Sequence, residues 1–343
     1  MKALVLEEYN HLVYKEVPDP EYGPDEVLIE VKACGICGSD IHGLDGKTGR
    51  RIPPLIMGHE AAGIIRNVGS NIKDWKVGDR VTFDSTIYRL DDWYTKKGLY
   101  NLSDNRRVLG VSCKEYRQQG ALAEYVVVPQ HILYQIPEHV SFNQATLAEP
   151  VSVASHALGL TPVSKGDTAL VLGVGIIGSF VVQLLKLSGC AKIIAVDLRQ
   201  ERLDMALNLG ADIALKSDTC DIVTEVHHNT NNHGVDVAFD AIGISPMISI
   251  TINSLRKGGS LTLIGNLSPH IELPLQSVVT RQIRLQGSCA NCGEFPQVLE
   301  LISEGKLNVD ILVSATAPLS EGAEWFKKLY NNEPGLMKVI LNP

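Results

Sequence analysis

Gly173-Val174-Gly175-Ile176-Ile177-Gly178 constrains this chain more than any other segment, because of what lies on either side of it. The apolar run 168–172 leads into it, a helical stretch 178–187 leaves it, and Asp197 ends the next apolar run 19 residues after Gly178. A glycine-rich turn between a buried strand and a helix, with an acidic residue closing the following strand, is the local pattern of a dinucleotide-binding βαβ unit. The glycines have separate tasks: Gly173 permits the tight turn, Gly175 lets the backbone approach a pyrophosphate, and Gly178 lets the helix pack on the sheet. The N-terminus of the helix that follows, with Ile176 and Ile177 leading into it, offers unpaired N–H groups to the anion. Asp197 can accept hydrogen bonds from both ribose hydroxyls and would repel a 2′-phosphate. NAD is therefore favoured over NADP, although Arg199, two residues later, works against that preference.

The rhythm of the chain around this unit predicts two domains. From about residue 151, short apolar runs (192–197, 212–215, 235–240, 260–265 and 283–287) alternate with helical stretches such as 201–209. Buried strands alternating with helices make a parallel α/β sheet. The first 150 residues read instead as β-rich. Runs 27–33 and 61–68 alternate as half-buried strands, and Pro18-Asp19-Pro20, Gly23-Pro24-Asp25 and Val77-Gly78-Asp79-Arg80 mark turns of an antiparallel, barrel-like domain. The apolar end 337–341 needs a partner sheet and is expected to return to the first domain. These readings divide the chain into a catalytic domain, 1–152 completed by 290–343, and a dinucleotide domain, 153–289.

Composition excludes several classes. The net charge of −8 argues against nucleic acid as a partner, since phosphate binding needs a basic face. No stretch approaches ~18 uninterrupted apolar residues, so no membrane span is expected. The start of the chain turns acidic too early for a signal peptide. Seven scattered cysteines fit free thiols and metal ligands in a reducing, cytoplasmic setting better than a disulfide framework.

Two segments of the first domain carry metal chemistry: Cys34-Gly35-Ile36-Cys37-Gly38-Ser39-Asp40-Ile41-His42 and Gly58-His59-Glu60. Thiolate, imidazole and carboxylate are a ligand mix for Zn²⁺, and three firm protein ligands leave a position open for catalysis. Cys37 and His59 are the first ligands. Glu60 reads as a direct ligand, and Glu149, in the apolar Leu147-Ala148-Glu149-Pro150, as a ligand or a partner of the metal's water; a carboxylate buried there needs compensation. Asp40 reads as orienting His59 through its other ring nitrogen. Cys34 is either half of a CxxC pair or a packed thiol. Cys289 and Cys292 read as cofactor-pocket or packing residues.

With these motifs in place, the chain resembles the zinc-dependent medium-chain dehydrogenases, in the polyol (sorbitol-type) branch, over essentially its full length. The resemblance rests on Cys37-Gly38-Ser39-Asp40-Ile41-His42, Gly58-His59-Glu60, Val77-Gly78-Asp79-Arg80-Val81, Glu149-Pro150 and the Gly173–Gly178 fingerprint. Glu149, where alcohol dehydrogenases of the family carry a ligating cysteine, favours the polyol branch. The resemblance implies a GroES-like domain completed by the C-terminal tail, a Rossmann doubly wound sheet, and an active site in the cleft. It implies zinc on Cys37, His59 and Glu60 with Glu149 near the metal's water, Ser39 and His42 binding the substrate hydroxyl and relaying its proton, and a homodimer or homotetramer.

One departure is plain. Many relatives hold a second, structural zinc with four cysteines, and the aligned positions here are Arg89, Asp92, Thr95 and Ser103. A single catalytic zinc and no structural zinc are expected, with Trp93, Tyr94 and Tyr100 or an ion pair holding the lobe. The implied reaction oxidises a secondary hydroxyl of a polyol, cyclitol or sugar alcohol to a ketone, with hydride passing to NAD. Arg50 and Arg51 allow a polyol phosphate of the galactitol-1-phosphate type, against the plainer reading of solvated surface charges; an L-threonine-type amino alcohol trails. Outside this class stand a zinc-free quinone reductase, which would not need Cys37, His59, Glu60 and Glu149 together, and a non-catalytic structural member.

Overall fold

The computed structural model describes residues 1–113 and 116–343. The chain forms two compact units: Met1–Glu149 with Phe295–Pro343, and Pro150–Glu294.

The first unit is built on the ten-residue strand Glu26–Gly35, which pairs antiparallel with Glu60–Val68, Tyr125–Pro129 and the C-terminal strand Lys338–Asn342. Arg80–Phe83 and Leu133–Gln135 extend the sheet on one side, and Val313–Pro318, parallel to Lys338–Asn342, extends it on the other. A smaller sheet joins Lys2–Glu8 to His11–Glu16 and Leu55–Ile56. The apolar faces of these strands share one core, in which Leu4, Ile29, Phe83, Val128, Phe326 and Val339 are completely buried. The C-terminal run therefore does find its partner sheet in the first unit. The pattern of 61–68 predicts a half-buried strand; Glu60–Val68 is instead buried on both faces over its first four residues and opens only towards Val68. Other elements cover both sides there, so the alternation in its sequence is not the alternation of its exposure.

The second unit is a six-stranded parallel sheet in the order Ile213–Lys216, Lys192–Asp197, Thr168–Leu172, Val235–Asp240, Leu255–Leu263, Arg284–Gly287. Numbered along the chain this is 3-2-1-4-5-6, the order of a dinucleotide-binding doubly wound sheet. Its strands are nearly continuous apolar runs because helices such as Ile176–Leu187 cover them. Among the described residues no helix is long and apolar enough to cross a membrane.

Candidate metal centre and dinucleotide site

Register brings the metal-ligating types together. Gly35, at the end of Glu26–Gly35, pairs with Glu60 on one side and Ile340 on the other. Two residues past Gly35, Cys37 caps the short helix Gly38–Gly43, and His59 sits directly ahead of Glu60. Gly35 leaves space for the carboxylate: a Cβ there would lie 2.4 Å from Glu60 Oε2. Gly58 takes φ +92°, a conformation that favours glycine, and a Cβ would also meet Leu122 at 2.7 Å. The thiol, one imidazole nitrogen and a carboxylate oxygen of Cys37, His59 and Glu60 consequently lie within 4.8 Å of one another.

The electrostatics fit a cation. Burial, with the Glu60 carboxylate beside it, pushes the Cys37 thiol well above its usual range. Glu149 is buried and lies outside the trio. Burial raises its pKa to about 7; His59 opposes this, while Glu60 and Asp84 add to it. Its Oε1 accepts a hydrogen bond from Ser85 Oγ at 3.2 Å. Against half-buried Cys37 and the buried acids Asp40, Glu60 and Glu149 stand two buried cations, Lys338 and Arg51. Lys338 Nζ donates to Glu60 Oε2 at 2.5 Å and to the Ile36 carbonyl at 3.0 Å. Burial pulls the Lys338 pKa down, but Glu60 and Cys37 outweigh it and leave it raised. His59 Nδ1 and Asp40 Oδ2 are 3.5 Å apart, and neither has a hydrogen-bond partner among the described residues. An excess of acidic groups around a thiol–imidazole–carboxylate trio suits a bound Zn²⁺.

The remaining residues fall as follows. Ser39 is exposed, and its hydroxyl donates to Cys37 Sγ at 3.3 Å. His42 is exposed on the same short helix. Cys34 is completely buried, as a packed thiol would be. Arg51 is a correction: its side chain is only 3% exposed and is bound to Asp40, so it is not a solvated surface charge. Lys338 and Ser85 carried no signal in the sequence, since nothing local marks a lysine on a terminal strand as a partner of Glu60.

At the aligned lobe positions a carboxylate is the hub. Asp92 accepts from the backbone N–H groups of Tyr94 (2.9 Å), Thr95 (3.2 Å) and Asp104 (3.3 Å), and Ser103 Oγ accepts from Arg89 N at 3.2 Å. Tyr100 stacks on Tyr88 at 4.3 Å, while Trp93 is 64% exposed and meets Tyr94 edge-on. Arg89 and Asp91 form an exposed ion pair.

In the second unit, Gly173 takes φ +81° at the end of Thr168–Leu172, and a Cβ on Gly178 would lie 1.9 Å from the Gly173 carbonyl oxygen. Gly175 differs: its backbone angles are ordinary, and a Cβ there would meet only Arg202 Nη1, at 3.8 Å. Open space in front of that glycine fits close approach by a ligand. Asp197 accepts from Val174 N and Arg199 N, each at 3.0 Å, and Arg202 Nη1 lies 3.6 Å from it. Arg202 is a residue that sequence reasoning missed. Its signal was available, as a cation one turn into the helix that follows the acidic strand end. Beyond the last strand of that sheet, Cys289 is exposed and Cys292 half-buried, and between them Asn291 is fully buried, neither side-chain amide atom having a hydrogen-bond partner among the described residues. Such a group at the carboxyl end of a parallel sheet has hydrogen bonds to offer a ligand.

Comparison with known proteins gives the family. Residues 23–138 match the alcohol dehydrogenase GroES-like domain, and residues 177–304 the zinc-binding dehydrogenase domain. The chain is 31% identical over 340 residues to D-arabitol-phosphate dehydrogenase of Enterococcus avium, covering 98% of this chain and 95% of the relative. It is likewise 31% identical over 348 residues to sorbitol dehydrogenase of Bacillus subtilis (strain 168), covering 100% and 97%. Among solved structures, a short chain alcohol dehydrogenase from Escherichia coli CFT073 complexed with NADH superposes with a TM-score of 0.92 (29% identity, 100% and 99% covered). A protein from Sinorhizobium meliloti 1021 bound to NADP superposes with a TM-score of 0.91 (28% identity, 100% and 99% covered). The chain belongs to the zinc-dependent medium-chain dehydrogenases, in their polyol dehydrogenase branch, and is an oxidoreductase.

Proposed function

We propose that this dehydrogenase oxidises a secondary hydroxyl of a polyol, cyclitol or sugar alcohol to the ketone, with NAD as hydride acceptor and one zinc per chain. The observation that carries the reading is the trio Cys37, His59 and Glu60, with buried Glu149 interacting with His59 and Glu60. Zinc held by the trio would supply Lewis acidity to a substrate hydroxyl. Cys37 and His59 bind the metal, and Glu60, steadied by Lys338, completes the set. Glu149, buried and hydrogen-bonded to Ser85, serves as the general acid–base group beside the metal. Ser39 orients the substrate hydroxyl, and His42, exposed on the same helix, passes its proton to solvent. Gly173, Gly175, Ile176, Ile177 and Gly178 receive the pyrophosphate; Asp197, with Arg199 and Arg202 beside it, takes the ribose.

A phosphorylated polyol is the second reading. It is favoured by the arabitol-phosphate relative and by exposed Arg50, but Arg51 is committed to Asp40 and is not available to an anion. The lobe needs no second zinc, because Asp92 gathers its backbone N–H groups. A homo-oligomer in the reducing cytoplasm is the expected setting.

The decisive experiment purifies the protein with its native metal, measures zinc per chain, and follows NADH formation on polyols, cyclitols, polyol phosphates, L-threonine and simple alcohols. About one zinc with polyol turnover is expected. A second zinc would overturn the reading of the lobe. No zinc and no alcohol-dependent NADH formation would overturn the reaction in favour of a zinc-free reductase or a non-catalytic role.

A further inference from the structure

Arg51 sits where neither a surface charge nor a free anion site would be. Its neighbour Arg50 is exposed, whereas the Arg51 side chain is almost fully enclosed. Nε and Nη2 both donate to Asp40 Oδ1, at 3.0 and 2.7 Å, and Nη2 also donates to Ser39 Oγ at 3.1 Å. The backbone makes room for it, since a Cβ on Gly43 would lie 2.3 Å from Arg51 Cγ. Burying a guanidinium costs several kcal/mol unless its donors are met by acceptors of the right geometry. Here Nε and Nη2 are met, by one carboxylate and one hydroxyl.

Both acceptors lead on to the metal-ligating trio. Ser39 Oγ donates to Cys37 Sγ at 3.3 Å. The second oxygen of Asp40 faces His59 Nδ1 at 3.5 Å, and neither atom has a hydrogen-bond partner among the described residues. Glu60, the third member, is held by Lys338 instead. We propose that Arg51 is a positioning residue of the metal centre. Through Ser39 and Asp40, a single guanidinium sets the direction of the Cys37 sulfur and turns His59 so that Nε2 is the nitrogen offered to the metal. The inference rests on the reading of the trio as a zinc site. Lysine cannot replace arginine in this role, because a point charge lacks the planar fork that spans Asp40 and Ser39 together.

The test compares wild type with Arg51→Lys, Arg51→Ala, Asp40→Asn and the Arg51→Lys/Asp40→Asn double variant. Each is stripped with EDTA and titrated with zinc against a chromogenic chelator; the melting temperature of the metal-free protein, kcat and KM are also measured. Arg51→Lys is expected to melt close to wild type when metal-free, yet to bind zinc ~10–100-fold more weakly, the range for groups that hold metal ligands. kcat should fall more than KM rises. The double variant should lose less affinity than the product of the two single losses, since both act through one link. Guanidinium ion at millimolar concentration should restore part of the zinc affinity of Arg51→Ala, where methylammonium at equal ionic strength does not. If Arg51→Ala fails to fold, the Lys variant and the double-variant comparison still decide. Zinc affinity and kcat of Arg51→Lys within about twofold of wild type would overturn the positioning role alone. So would affinity losses that multiply in the double variant and follow the melting temperature. A wild-type protein that takes up no zinc would overturn the metal reading, and this inference with it.

Discussion

Glu149 carries a penalty that the metal-free protein bears in full. Burial raises its pKa in the folded chain to about 7, whereas the unfolded chain releases the same proton near the ordinary carboxylate value. Between those two values the folded state binds more protons than the unfolded one, so stability falls as pH rises through the interval and stays reduced above it. Glu149→Gln removes that ionisation. The metal-stripped variant should therefore gain stability over metal-stripped wild type at pH 8, by on the order of 3 kcal/mol, and only about 1 kcal/mol at pH 5. Urea unfolding at the two pH values measures this, and an equal gain at both would show that charge is not the cause. The site's chemistry was legible at this scale wherever a residue type announces its use: Cys37, His59, Glu60 and Glu149 stand out in an apolar, glycine-rich context. Arg51 was not, because burial and exposure of a loop arginine look alike in sequence.

At the scale of elements, the lobe around residues 89–104 has a carboxylate, Asp92, at its centre. Burial pulls the Asp92 pKa up, but the backbone N–H groups of Thr95, Asp104 and Tyr94 outweigh it and hold it below the usual value. The contribution is present above the ordinary carboxylate pKa and is lost as pH falls through the lowered one. Asp92→Ala should make this lobe the first site cut in limited proteolysis at neutral pH. EDTA treatment of the wild type should leave its cleavage rate there unchanged. Chelator-induced cutting in the lobe would instead point to a metal that Asp92 helps to hold. Sequence pointed to aromatic packing or an ion pair here; both kinds of contact occur, but the hydrogen bonds to Asp92 were not foreseen. Three backbone N–H groups converging on one side chain depend on the path of the loop, which residue types do not encode.

For the whole molecule, the two compact units differ in how the chain supplies them. Pro150–Glu294 is contiguous, and its sheet is complete within that span. The other unit adds two strands from the C-terminal stretch to those of its N-terminal part. Lys338–Asn342 lies between Glu26–Gly35 and Val313–Pro318, in the interior of the sheet. Residues 150–294 produced alone should fold and quench or enhance NADH fluorescence on binding. Residues 1–149 alone should stay unfolded by circular dichroism, because the sheet would lose an interior strand and Glu60 its buried counter-ion. A folded 1–149 fragment would show that the tail decorates the sheet and is not part of its core.

Sequence alone determined what is local and periodic. The glycine fingerprint, the strand–helix alternation behind it and the neighbouring Cys37 and His59–Glu60 segments are written within a few residues each, where spacing translates directly into turns, faces and ligand types. Tertiary structure decided which distant residues complete them. Lys338 reaches Glu60 only because Gly35 is paired with Glu60 on one side and with the C-terminal strand on the other, a register that joins positions 278 residues apart. Arg51 becomes a buried brace only because the chain after Gly43 folds back over Asp40. The physical reason is the same for both. Burying a charge is worth its desolvation only when its partner is held in place, and that partner is supplied by the packing of elements far apart along the chain.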